Sequence, residues 1–216
     1  RQRLNLRSTK IFSSTCNMMS YRLLGLVFVM MLEFIFHDTH AQTEFKSIKS
    51  ALEAHHAGEI VEVLNLKKQK LEIIPEEIQG FTELIELRLD KNRIEILPDW
   101  FGELTHLEIF SAERNQLSEF PIVLLELVNL RELHLGDNFI TGIPIDIDAL
   151  KNLELLGLWS NLLRLFPSSL SDMPKLTTLD LLYNDMTFSE QTWLHELLPH
   201  INVEMSEPCH CTFDDE

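Results

Sequence analysis

A 23-residue period governs the chain from Val61 onward, and it constrains the fold more than any other feature of the sequence. Asn92, Asn115, Asn138, Asn161 and Asn184 stand one period apart, with Gln69 in the same slot of the first copy. Pro75, Pro98, Pro121, Pro144 and Pro167 keep the same interval. Leu64, Leu87, Phe110, Leu133, Leu156 and Leu179 form one apolar column, and Leu66, Leu89, Ala112, Leu135, Leu158 and Leu181 form another two residues on. One such copy is too small to bury its own apolar face, so the copies must stack on one another.

The physics of a copy is legible in "LIELRLDKNRIEILPDWFGEL", residues 84–104. The alternation Leu87, Arg88, Leu89 predicts a short strand with leucines inward and the polar side chain outward. Asn92 falls where the chain must leave that strand, and its amide is suited to pair backbone groups that a buried corner would otherwise orphan. Ile94 and Leu97 fill the wedge behind it, Pro98 fixes the backbone, and Phe101 and Leu104 return over the core. About a dozen residues are left for that return, which predicts an irregular or 3₁₀ turn rather than a full helix. Copy three departs from the pattern, with Phe110 beside Ala112 where the others carry two leucines; the larger side chain compensates the smaller in volume.

The pattern resembles the leucine-rich repeat family in its form "LxxLxLxxNxIxxLPxxIxxLxx", matched over almost six copies at 61–186. The resemblance implies an α/β solenoid: a curved arc with a parallel sheet on the inner face, short outer segments and helical caps. It also implies a non-enzymatic scaffold that binds protein or peptide on the inner sheet, without a cofactor. Both ends look like those of secreted bacterial members of the family.

A solenoid needs caps at its ends. Residues 42–60 place Ile48, Ala51 and Leu52 on one helical face, with Gly58 as the stop. Residues 187–205 open with Thr187 and Glu190 in capping-box spacing, and Pro199 ends the helix. Trp193, Leu194, Leu197 and Leu198 are expected as its core side, and Ile201 and Val203 suggest a last strand.

Upstream, residues 1–17 look unlike the remainder, and 18–41 have the layout of a secretory signal: Arg22, the apolar run "LLGLVFVMML", then "THA" before a break after Ala41. That run is shorter than a membrane span, which needs roughly 20 apolar residues. The expected location is therefore secreted or periplasmic, at the cell envelope, or cytoplasmic if the leader is not used. Residues 206–216 form an acidic tail holding Cys209 and Cys211. Three readings of the two thiols stand: a local disulfide or incidental thiols, a bond to another chain, or a metal site.

The net charge of −16 disfavours nucleic acid and anionic membrane as partners. Read by column, the outward face of the sheet carries Lys67, Lys68, Arg88, Lys91 and Arg114 in the first three copies. Leu155, Trp159, Leu182 and Tyr183 collect in the last two. With Ile109 and His134, the residues Arg88, Lys91, Arg114, Leu155, Trp159, Leu182 and Tyr183 form the candidate partner-binding face. Self-association as an envelope or adhesion component and glycan binding are the alternative uses of such a chain; the oligomeric state is open. No Ser, His and Asp trio has workable spacing, since His134 and Asp180 fall two strands apart, roughly 10 Å. Trp159 stands across from Gly136 and diagonal to Gly157, so its indole either lies flat over bare backbone or rises beside Leu182 toward a ligand.

Overall fold

The structure, a computed structural model, describes residues 43–208. The segment expected to be a leader, Cys209 and Cys211 lie outside the described residues. Eight parallel strands form one sheet in strict sequence order: β1 (Glu44–Phe45), β2 (Val63–Asn65), β3 (Glu86–Arg88), β4 (Ile109–Ser111), β5 (Glu132–His134), β6 (Leu155–Gly157), β7 (Thr178–Asp180) and β8 (Asn202–Glu204). The register follows the period, with Leu87 paired to Phe110, Phe110 to Leu133 and Leu133 to Leu156. Each return segment contains one 3₁₀ turn: Glu76–Gly80, Asp99–Glu103, Ile122–Glu126, Ile147–Ala149 and Ser168–Asp172. Four of the five begin directly after the periodic proline, whose fixed φ leads into the turn.

The core is the space between sheet and turns. Leu87, Leu89, Ile94, Phe101 and Leu104 are buried in the second copy, and equivalent side chains are buried in the others. In copy three Phe110 and Ala112 are both fully buried, and Phe110 meets Phe101 at 4.9 Å between ring centroids. The exchange of volume expected between those two positions is thus accommodated inside the wedge.

The asparagine ladder seals the corner. Asn92 donates through Nδ2 to the carbonyls of Leu66 (2.9 Å) and Leu89 (2.7 Å), and its Oδ1 accepts from the Leu71 N–H (3.0 Å). Asn115, Asn138, Asn161 and Asn184 repeat this set, each joining its own copy to the preceding one. Just before each ladder position the backbone turns left-handed. Lys68, Lys91, Arg114, Asp137, Ser160 and Tyr183 all have φ between 52° and 61°. Five of these residues donate their N–H to a carbonyl of the next copy, as Lys91 does to Glu113 at 2.8 Å, which holds a conformation that side-chain-bearing residues seldom adopt.

The N-terminal cap is helix α1 (Ile48–His56), N-capped by Ser47, with Ala51 and Ala54 buried and Ile48 and Leu52 packed against the core. Gly58, at φ 86°, turns the chain away. Ahead of α1, strand β1 adds a pairing that the period does not announce, and Val63, in an outward column, is buried between Glu44 and Glu86 in the register. The C-terminal cap is helix α2 (Phe188–Leu197) with the full capping box: Thr187 accepts from the Glu190 N–H, and Glu190 accepts from the Thr187 N–H. Leu194 and Leu198 face the core four residues apart. Trp193, expected in that core, is instead 41 % exposed, because the helical turn carries it about 100° from Leu194.

Candidate functional site

The outward face of the sheet holds the residues singled out from the sequence, and the structure pairs most of its cations internally. Lys67 bonds the buried Asp90 at 2.6 Å; Arg88 bonds Glu86; Arg114 lies 3.5 Å from Asp137. Asp90 also accepts from the Ser111 hydroxyl and from the Glu113 N–H at 3.0 Å. Lys91, exposed and left-handed, has no ion pair among the described residues. The cations of the first three copies are therefore largely neutralised in place. Of these cations Lys67 and Arg88 line, with Asp90, Glu113, Glu132 and His134, a hollow of about 290 Å³. His134 approaches Glu132 at 3.2 Å.

The apolar end is also less open than its sequence suggests. Ile109, Leu155 and Leu182 are half-buried, and only Tyr183, 71 % exposed, stands free in solvent. Trp159 is half-buried and lies over Gly136: a methyl group added at Gly136 would overlap Nε1, Cε2 and Cδ1 of the indole. Its Nε1 donates to Glu113 Oε1 at 3.1 Å, two copies away, and the Arg114 guanidinium sits 5.7 Å from the ring centroid. Of the two orientations open to the ring, the flat one is adopted. His134 in turn leans toward Gly157, where an added Cβ would meet Nδ1 at 3.4 Å.

Asp180 occupies the central column beyond Gly157. Burial holds its carboxyl above the ordinary aspartate range; a hydrogen bond from the Leu182 N–H (3.0 Å) opposes this, Glu204 and Glu113 add repulsion, and His134 offsets part of it. At the opposite end, Glu44 is held below the ordinary glutamate range, first by the Asn65 amide at 2.7 Å and then by Lys46. No group of three His, Cys, Asp or Glu side chains able to hold a metal occurs among the described residues. No helix of the described residues is long and apolar enough to cross a membrane.

The periodic strand, asparagine corner and 3₁₀ return define a class, the leucine-rich repeat solenoids. Family models described as leucine-rich repeats match residues 128–186 and 83–104. The chain is a leucine-rich repeat protein. Among solved structures it is similar to a leucine-rich repeat protein of Leptospira interrogans, with 26 % identity and a TM-score of 0.62 over 78 % of this chain and 49 % of that one. The chain thus spans about half the length of the Leptospira protein. Internalin C2 of Listeria monocytogenes shares the fold at 21 % identity and a TM-score of 0.55, over 68 % of this chain and 62 % of its own. A chain of the LRIM1/APL1C complex matches at 29 % identity and a TM-score of 0.54, over 59 % of this chain and 24 % of that one. No curated protein matches the sequence.

Large exposed apolar side chains lie elsewhere, on the flank that runs from the asparagine corner to the first residue of the 3₁₀ turn or of helix α2. Ile73, Ile96, Leu165 and Phe188 fall one or more whole periods apart, and Ile122 and Ile145 stand three positions further on in the copies that carry Glu119 and Gly142 in that column. All six are between 68 % and 77 % exposed. The signal was present in the period, in columns outside the strand.

Proposed function

We propose that the protein is a non-enzymatic scaffold that binds a protein or peptide partner on the concave sheet, and that it acts as a secreted or periplasmic component. The observation that supports this best is the posture of Trp159. Glu113 and Arg114 hold its ring in place on the open sheet face, and Glu113 also borders the hollow formed with Arg88 and His134. An aromatic fixed before binding loses little freedom when a partner arrives, and aromatic anchors dominate many interfaces. Charged groups around the hollow would set orientation and encounter rate. The resemblance to a chain crystallised in the LRIM1/APL1C complex fits a protein partner, and the leader pattern fits export.

The test is partner capture from an envelope extract by the full chain, followed by hydrogen-exchange mapping of the complex. Protection of β3 to β6, with capture lost in Trp159→Ala and weakened in Trp159→Phe, which lacks the donor to Glu113, at unchanged thermal stability, is the expected result. Capture unaffected by both Trp159→Ala and Arg88→Glu would remove the concave face from the proposal.

A further inference from the structure

The flank of the first three copies forms a second recessed surface with its own chemistry. One hollow, of about 660 Å³, is bordered by Ile73, Ile96 and Glu95, and a second, of about 220 Å³, by Ile96, Ile122, Glu95, Asp99 and Glu119. Ile96 and Glu95 belong to both, so the two are continuous along the stack. Exposed apolar side chains arranged in a row across stacked copies are unlike the scattered ones normal on a monomer. The rim is acidic: Glu95, Asp99 and Glu119 have no ion pair among the described residues, and Arg93, the cation lining the hollows, is engaged by Glu72 at 3.4 Å.

We infer that this groove binds a cationic, aliphatic-bearing segment of a partner protein, its apolar side chains over Ile73, Ile96 and Ile122 and its Lys or Arg groups toward Glu95, Asp99 and Glu119. Charge selects the occupant. A second copy of this chain, at net charge −16, would bring like charge to an already acidic rim. An anionic or purely polar segment would leave either the carboxylates or the isoleucines unmatched. The site is separate from the concave sheet and does not depend on the role proposed for Trp159.

The test titrates the full chain with three labelled peptides, alternating Lys and Leu, Lys and Ser, or Glu and Leu, read by fluorescence anisotropy. Hydrogen exchange then locates the bound peptide. The Lys and Leu peptide is expected to bind at least about tenfold more tightly than the Lys and Ser one, since it adds aliphatic burial to the same charge. The Glu and Leu peptide is expected not to bind. Protection should fall on residues 71–74, 94–97 and 117–123. Ile96→Ser and the double variant Glu95→Gln, Glu119→Gln should each weaken binding by about fivefold or more, while Trp159→Ala leaves it unchanged. These side chains are exposed, so the variants are expected to fold; if Ile96→Ser does not, the double glutamate variant decides. Equal binding of the Lys and Ser peptide, protection on the sheet strands, indifference to both groove variants, or no binding of any peptide overturns the assignment.

Discussion

At the scale of single residues, the asparagine column concentrates more backbone satisfaction per side chain than any other position. Asn138 serves the carbonyls of Ala112 and Leu135 and the N–H of Leu117, all buried. Asn138→Ala orphans them together, so a loss of roughly 2–5 kcal/mol is expected in urea unfolding. Gln69, exposed and bonded only to the Lys46 carbonyl at 3.4 Å, is expected to tolerate Ala within about 0.5 kcal/mol. Gly136→Ala tests the lie of the indole: the new methyl displaces Trp159 from Glu113, and its fluorescence should shift to the red in a variant lacking the other two tryptophans. Gly157→Ala, meeting His134 at ordinary contact distance, is the control that should not shift it. Asp180 gives a pH signature. Because its carboxyl titrates higher in the folded chain than in the unfolded one, the folded chain holds the proton more tightly, and stability falls as pH rises from the unfolded value through the folded one. Asp180→Asn should therefore raise Tm at neutral pH and lose that advantage below the ordinary carboxylate range.

At the scale of elements, the caps are where sequence and structure part company in instructive ways. Thr187→Ala removes the capping box of α2 and should cost about 1 kcal/mol, visible as faster hydrogen exchange in the first turn of that helix. The box was legible because it is a local pattern, and the strands, ladder and 3₁₀ turns were legible because each recurs on one period. Strand β1 was not: its two residues pair with β2 at a spacing that breaks the period, Phe45 lying opposite Leu64. Trp193 was misplaced for a related reason, since a helix has its own 3.6-residue period and the 23-residue register no longer applies inside it. The sheet face was legible as columns, but not the pairing within them. That Lys67 would be consumed by Asp90, or that Trp159 would reach past its neighbour to Glu113, depends on side-chain lengths and rotamers that no column records.

At the scale of the whole molecule, self-repulsion is the expected tax on a surface this acidic. Raising sodium chloride from about 10 mM to about 0.15 M shortens the screening length from about 30 Å to about 8 Å and should raise Tm, read by thermal unfolding at the two concentrations. The bonds that hold copy to copy reach one neighbour: each asparagine spans its own copy and the one before it. In the language of a one-dimensional lattice, such couplings propagate along the stack and are indifferent to its length. The bond from Trp159 to Glu113 is of another order, since it skips the copy that contains Gly136. A chain shortened by that single copy would keep every kind of nearest-neighbour bond yet set the indole against the wrong strand. The contact acts as a ruler that counts repeats, and it ties the number of copies between Glu113 and Trp159 to the shape of the inner face.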